Sequence, residues 1–499
     1  MAFSVLSLFL TACGGGDRGG RLSLDAEPDL MPRLEALLTD HHLPEGWQVA
    51  STGNPPAVVI TLQALPSGAA VTSGSFFSGT RHLAASVDIA DDRFSVSQRM
   101  AEEMGLLPLE SIVAPRRALS VDGTWPGQPG YPFAQRLSLS ARPSTSGHAY
   151  KTLPKTILKW LEAAAGASAS GDPRPLVLAV AGDIQVGEAQ WPLLAQGEAG
   201  LASLLQGGVL DLLRKPDVAV ANLEAPISVR GNPNPRKRFQ FRMPPGSSTA
   251  LAKAGLDLLL FGNNHGFDFG DEAFADTLDD LDGAAMPMVG AGRNLQEAAA
   301  ARFVGTGPGR LAFVGYTFFP DERLGFTAAE AAAGPDKAGV SANEAAAMAA
   351  VCSAAATGAT VVVLAHGGSE YVRTPSTAAR LLYGRFVDAG AALVAGSHPH
   401  LLQGCEARSG SIIAYSLGNF LFTGEAEPPE AWKGAVLDFL MYRGKVRGLM
   451  VRPIIAGYDF TTTDPGQDAA EKGFAKLCAE IAERHGRHQF SSVGGASTR

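Results

Sequence analysis

A layered α/β fold is predicted for residues 176–460, and three observations predict it. Continuous apolar runs recur at Leu176–Ala181, Val218–Ala221, Leu256–Phe261, Leu311–Tyr316, Thr360–Ala365, Ala391–Ala395 and Ser411–Tyr415. Stretches with helical spacing lie between several of them, at Ser247–Ala254, Glu272–Leu281, Asn343–Ala356 and Ser376–Asp388. The loops that follow five of the runs carry side chains able to bind metal. An unbroken apolar run reads as a strand buried on both faces. Strands alternating with helices read as a layered sheet with helices packed outside it. Chemistry in such folds gathers where strands end and loops begin.

The other parts of the chain follow from texture. With 499 residues, two to four domains are expected. Residues 1–21 read as a signal peptide and glycine-rich tether, 22–165 as a smaller N-terminal α/β accessory domain, and 166–175 as a linker rich in small residues and proline. Within the accessory region Leu30–Leu38, Val96–Met104 and Thr152–Ala165 have helical spacing, and Ala57–Gln63 reads as a strand. The segment Leu119–Phe133 weakly resembles a stretch of periplasmic solute-binding proteins. Trp432–Ile455 reads as closing strands of the main domain, which ends near 460. Residues 461–499 hold an amphipathic helix, Asp468–His485, and a tail.

Composition narrows the function classes. Apolar residues make up 46% and charged residues 18%, which argues against disorder. The formal net charge of -8 argues against nucleic acid as a partner, because phosphate backbones recruit basic surfaces. An anion site must therefore be local, built from a metal or a small basic cluster. No apolar run is long enough for a transmembrane helix. Phe3–Leu10 is a short apolar stretch followed by Leu10-Thr11-Ala12-Cys13 and three glycines. That is the pattern of a bacterial lipoprotein signal, with Cys13 as the lipidation residue. It places the chain at the cell envelope, lipid-anchored on the extracytoplasmic side of a bacterial membrane. Cys352, Cys405 and Cys478 lack CxxC spacing and read as buried free thiols.

The five loops contain Gly182-Asp183-Ile184-Gln185, Asn222-Leu223-Glu224, Asn263-Asn264-His265-Gly266-Phe267-Asp268, His366-Gly367-Gly368-Ser369-Glu370-Tyr371 and Ser397-His398-Pro399-His400. Two divalent cations roughly 3.5–4 Å apart need a bridging carboxylate and a mixed set of N and O ligands. Carboxylates supply charge, while imidazoles and an amide carbonyl complete the shell. A His-x-His pair can serve two neighbouring ions. The ions expected are Mn, Zn, Fe or Mg.

The ordered stretches AGDIQVG, VANLEAPIS, FQFRMPP, LLFGNNHGFDFG, HGGSEY, AGSHPHLLQG and AYSLGNFLF resemble the poly-γ-glutamate capsule-synthesis family (CapA/PgsA type), within the calcineurin-like metallophosphoesterases. They run from Leu178 to Phe422, about half the chain. The resemblance implies a metallophosphatase-like β-sandwich flanked by helices. It also implies two divalent metal ions held by Asp183, Glu224, Asn264, His366, His398 and His400. Glu224 would bridge. Asp183 and His400 would serve the first ion, and Asn264, His366 and His398 the second. His265 would be the catalytic acid. Gln185, Asn222, Glu370 and Asn419 would stand behind the ligands or on the substrate side. The superfamily usually has Asp-x-His at the first loop, where this chain has Gln185, a poorer ligand. Gly367 stands where Trp is common, and a looser pocket is expected there.

Bland readings weigh against single residues. His41, His42, His82, His148, His485 and His488 read as capping or core residues. Asp217, Asp257 and Asp268 read as turn or cap residues. Ser416–Phe420 suits either a tight turn at Gly418 or a wall of the site. Arg236-Lys237-Arg238 reads as a solvated loop, with an anion-attracting patch as the alternative. For Asp183, Glu224, His265, His366, His398 and His400 together, a shared site is the better reading.

Two function classes compete. One is hydrolysis of a phosphoester or related bond. The other is a non-catalytic, metal-dependent binding or assembly factor for an anionic capsular polymer such as poly-γ-glutamate. Capsule-synthesis membrane proteins are expected partners in either case.

Overall fold

A computed structural model describes residues 174–456 apart from 207, 307–308 and 423–428. It describes residues 75–143 with short breaks, and isolated strands elsewhere. Cys13, the 166–173 part of the linker, Cys478 and the helices expected at Leu30–Leu38, Thr152–Ala165 and Asp468–His485 lie outside the described residues, Lys476 excepted. So do His41, His42, His148, His485 and His488, while His82 falls on a strand.

The chain divides into two compact units. The first comprises Met1–Ala84, Leu106–Leu109 and Pro126–Arg174. Its sheet has seven strands, in the order Trp47–Val49, Gly20–Ser23, Val5–Thr11, Val58–Pro66, Ala134–Pro143, Ser75–Ala84 and Leu107–Pro108. Val5–Thr11 overlaps the expected signal segment and pairs with Val58–Pro66. The second unit comprises Ala85–Gly105, Glu110–Trp125 and Pro175–Arg499. It therefore includes part of the region 22–165, among it the helix Gln98–Met104 that the spacing of Val96–Met104 predicts.

The second unit is the layered α/β domain, and the first six of its main strands fall on the apolar runs. They are β1 (Leu176–Gln185), β2 (Val218–Leu223), β3 (Leu258–Leu260), β4 (Leu311–Phe318), β5 (Thr360–Gly367), β6 (Ala391–Ser397), β7 (Asn419–Phe422), β8 (Lys433–Tyr442) and β9 (Lys445–Ala456). The principal helices are α1 (Ser247–Ala254), α2 (Gly270–Gly283), α3 (Glu344–Ala356) and α4 (Thr377–Asp388). A ten-stranded sheet runs Met288–Val289, β3, β2, β1, β8, β9, Arg116–Ala118, Ser86–Asp88, with β7 and Thr462–Thr463 off that path. A six-stranded sheet runs Arg302–Val304, β4, β5, β6, Ser411–Ala414, Cys405–Arg408. The β1–β2–β3 and β4–β5–β6 pairings are parallel, so the strands of each set end at a common edge.

Alternation along each strand sets the layers. Ala179 and Ala181 of β1 face one outer core with α1 and α2. Val361, Val363 and Ala365 of β5 face the other with α3 and α4. The intervening side chains point inward, and Val180, Val220, Leu260, Leu364 and Ala395 meet around a void of about 10 Å³ between the sheets. Each such aliphatic side chain, taken from water, stabilises the sandwich by about 1.5–3 kcal/mol. Helix starts are capped as the sequence allows: Asn343 Oδ1 accepts from Ala346 N and Ser376 Oγ from Ala379 N. Among the described cysteines Cys405 is buried as expected, but Cys352 is exposed on α3, whose surface turns are alanine-rich.

Candidate metal centre

The site lies at the edge where β1, β2 and β3 of one sheet meet β5 and β6 of the other. Asp183 lies near the end of β1, and its amide donates to Gly418 O at 3.1 Å. That approach requires Gly182, because a Cβ there would lie 1.9 Å from Gly418 O. Gly418 itself takes φ +68°. The Ser416–Phe420 segment is thus both of its readings at once. Asn419 Nδ2 donates to Ala431 O at 3.1 Å, while its Oδ1 meets His400 Nδ1 at 2.9 Å.

Asn222 ties the carboxylates together. Its Nδ2 donates to Asp183 Oδ1 at 2.8 Å and to Glu224 Oε2 at 3.2 Å, and lies 3.2 Å from His366 Nδ1. Asn263 donates to Asn222 Oδ1 at 3.1 Å and Leu223 O at 2.6 Å, which pins the third loop against the second. Phe267 anchors that loop below by stacking on Phe274 of α2, with centroids 4.2 Å apart.

Asp183, Glu224, His366, His398 and His400 are all buried. Two groups of ligand atoms lie close enough to hold an ion: Glu224, His398 and His400, and Asp183, Glu224 and His366. Glu224 alone belongs to both, as a bridging carboxylate must. The family resemblance puts Asp183 with His400 and His366 with His398, whereas these groups exchange His400 and His366; His400 Nδ1 still lies 3.5 Å from Asp183 Oδ2. Asn264 Oδ1 sits 2.9 Å from His366 Nε2, so two donors converge there.

Whether these residues suit metal ions can be tested on their own atoms. Both ring nitrogens of His398 are buried without a hydrogen-bond partner. Such orphaned groups are costly unless something else engages them. His398 and His400 also take φ values of 93° and 55°, a region non-glycine residues seldom enter, and strain of this kind gathers at functional sites. Burial pushes the Asp183 carboxyl up, against the opposing pull of His400 and the Asn222 hydrogen bond. Burial, then the neighbouring imidazoles, hold His366 and His398 well below their usual range, so both rings are neutral at pH 7. Each side chain resists carrying charge alone, and a dication would remove the conflict. The donor set fits divalent metal.

His265 lies beside this cluster. Its Nδ1 is 2.7 Å from Asp268 Oδ2, and its ring packs 4.5 Å from that of Phe241. Asp268 is fully buried and also accepts from Phe241 N at 2.7 Å, so the cap reading understates it. Asp217 and Asp257 are not local turn or cap residues either: each stands just before a strand, and its carboxylate accepts from the neighbouring strand, from Val177 N and Ala219 N respectively. The solvated-loop reading holds for Arg236, paired with Glu330 at the surface, and for exposed Arg238. It fails for Lys237, which is buried between Asp268 and Glu322. Gln185 is buried and, two residues on from Asp183, shares its face of β1. Glu370 is exposed, because the loop turns outward at Gly368 (φ +115°) and Tyr371 (φ 58°). Phe318 lies across Gly367, where a Cβ would sit 2.6 Å from its ring, and a cavity of about 260 Å³ opens alongside.

Residues 177–424 match the family model of bacterial capsule synthesis protein PGA_cap. Over 217 residues, 42% of this chain and 51% of the relative, the sequence is 30% identical to the capsule biosynthesis protein CapA of Bacillus anthracis. It is 29% identical over 246 residues to the PGA biosynthesis protein CapA of Bacillus subtilis, covering 48% of this chain and 62% of that one. The chain thus spans between half and two thirds of these relatives' length. A crystal structure of a Thermus thermophilus protein covers 54% of this chain and 99% of its own at 10% identity, with a TM-score of 0.29, too distant to bear on the fold.

Proposed function

We propose that this chain, which belongs to the poly-γ-glutamate capsule-synthesis family, is a metal-dependent hydrolase of the cell envelope acting on a phosphoester or related bond. Asp183, Glu224, Asn264, His366, His398 and His400 would hold two divalent cations, with Glu224 common to both. The observation that carries the reading is His398, whose buried ring nitrogens find no protein partner beside that carboxylate. Bound cations would supply Lewis-acid polarisation of the phosphoryl group. The protein's own residues do the rest. Asn222 fixes the two carboxylates relative to each other. Asp268 accepts from Nδ1 of His265, so a doubly protonated ring would present its second proton, on Nε2, to the departing alkoxide and return to the tautomer that keeps Nδ1–H. The buried walls exclude bulk water from these contacts. Attachment to the envelope would come from acylated Cys13, on the short apolar stretch and small residues that precede it.

The decisive experiment combines elemental analysis of the purified chain with turnover of an activated phosphodiester. His265→Ala should lower turnover by about 10²–10⁴-fold while metal per chain stays constant. Unchanged turnover at unchanged metal content would remove His265 from the acid role. Gln185 supports a second reading, in which a weakened first site grips the carboxylates of an anionic polymer without breaking bonds. Metal-dependent retention of poly-γ-glutamate, with no product released from any phosphoester, would decide for that reading.

A further inference from the structure

Of the four basic residues in the loop Gly231–Arg242, Lys237 stands apart, because its side chain is fully buried. Its ammonium lies 2.7 Å from Asp268 Oδ1 and 2.9 Å from Glu322 Oε1, and donates to the main-chain oxygen of Asn264. It also sits 4.8 Å from the centroid of the Phe326 ring. The ammonium thus hydrogen-bonds one main-chain oxygen and is ion-paired with two carboxylates.

Burying such a group costs several kcal/mol before its partners offset it, and an apolar side chain of similar length would fill the space more cheaply. What the lysine adds is direction. With Oδ1 of Asp268 ion-paired to Lys237 and Oδ2 accepting from Phe241 N, Oδ2 is the oxygen turned to His265 Nδ1. A carboxylate only accepts, so Nδ1 must carry the proton of that bond. With Oε1 of Glu322 held by the same ammonium, Asn264 Nδ2 donates to it at 3.3 Å. The amide oxygen of Asn264 is then the atom left facing His366. A flipped Asn264 would present N–H groups where a ligand oxygen is needed.

We propose that Lys237 is a positioning residue that sets both the tautomer of His265, through Asp268, and the orientation of the Asn264 amide, through Glu322. The roles it serves rest on the hydrolase reading above, but the contacts and their test do not. Outer-shell partners of this kind change activity or metal affinity by about 10- to 100-fold when lost.

The test uses the full chain with ¹⁵N-labelled histidine, comparing wild type with Lys237→Met. In the wild type His265 shows one tautomer, protonated at Nδ1. In K237M the two ring nitrogens average towards a mixture, and metal affinity falls by about tenfold as Asn264 loses its fixed amide. If removing the buried cation prevents folding, the charge-compensated K237M/E322Q variant carries the same measurement. A folded variant of either kind that keeps the wild-type ring shifts at His265 overturns the proposal. Wild-type protein that turns over no phosphoester, yet loses the His265 tautomer on K237M, refutes the hydrolase and leaves the positioning role intact.

Discussion

The two sheets bring different chemistry to one edge. The ends of β1 and β2 and the loops after β2 and β3 of the ten-stranded sheet contribute Asp183, Asn222, Glu224 and Asn264, which are oxygen donors apart from amide nitrogens. The end of β5 and the loop after β6 of the six-stranded sheet contribute His366, His398 and His400. Taken alone, the first set is a pair of buried carboxylates, and burial drives Asp183 towards the neutral form. Taken alone, the second is a cluster of buried imidazoles, of which His366 and His398 are held neutral by burial and by their neighbours. Neither sheet makes a site; the edge where they meet does.

The comparison breaks most visibly at Glu224, the residue that both ligand groups share. Glu224→Gln keeps the shape and removes the charge. It should empty both positions and lower phosphodiester turnover by roughly 10³-fold, equivalent to several kcal/mol of lost transition-state stabilisation. His398→Ala belongs to one group only and should leave metal in the other. Elemental analysis of the two variants side by side checks this. Equal metal content in E224Q and H398A would mean that Glu224 does not bridge.

A second contrast separates the site from the sheet that supports it. Asp438 lies on β8, paired with β1 but at Ala179, away from the metal edge. Burial pushes its carboxyl from the usual 3.8 up to about 6, against the pull of Arg452 at 3.1 Å. No ion is needed to explain it, so it reports on the sheet alone. A raised carboxyl favours the protonated folded state. Its stabilising contribution is therefore full below about pH 4 and lost as pH rises through about 6. Wild type should gain up to about 3 kcal/mol over Asp438→Asn on going from neutral pH to pH 4, measured by denaturant unfolding of both proteins. Parallel pH profiles would show that Asp438 titrates normally.

Much of this edge was legible because strands buried on both faces leave unbroken apolar runs, and each run points at the loop behind it. Asp183, Glu224, His366, His398 and His400 stand out for that reason. Lys237 and Asp268 do not, since their burial depends on the loop Gly231–Arg242 folding back over the loop that carries His265. A basic triplet between two prolines and a phenylalanine carries no sign of that. β7 was hidden by its length: four residues, recognisable only through pairing with β1 at Asp183 and Gln185. Glu370 misled in the opposite direction. It shares a motif with His366, but positive-φ residues on either side of it, Gly368 and Tyr371, turn it to solvent.

The finest test of the sheet comparison lies at Gln185, where the ten-stranded sheet supplies an amide, a poorer metal ligand than an imidazole. Strand alternation puts Gln185 on the same face as Asp183, and it is buried. If nitrogen donors come only from the six-stranded sheet because the first position is weakly filled, Gln185→His should correct the imbalance. The added imidazole would raise affinity at that position by roughly tenfold, about 1.4 kcal/mol. Titrating metal-free protein with Mn²⁺ or Zn²⁺ in a calorimeter would show a weaker step in the wild type moving towards the stronger one in Q185H. A binding curve identical in both proteins would mean that residue 185 does not reach the ion. The division of oxygen and nitrogen donors between the sheets would then be the finished form of this site rather than the loss of one ligand.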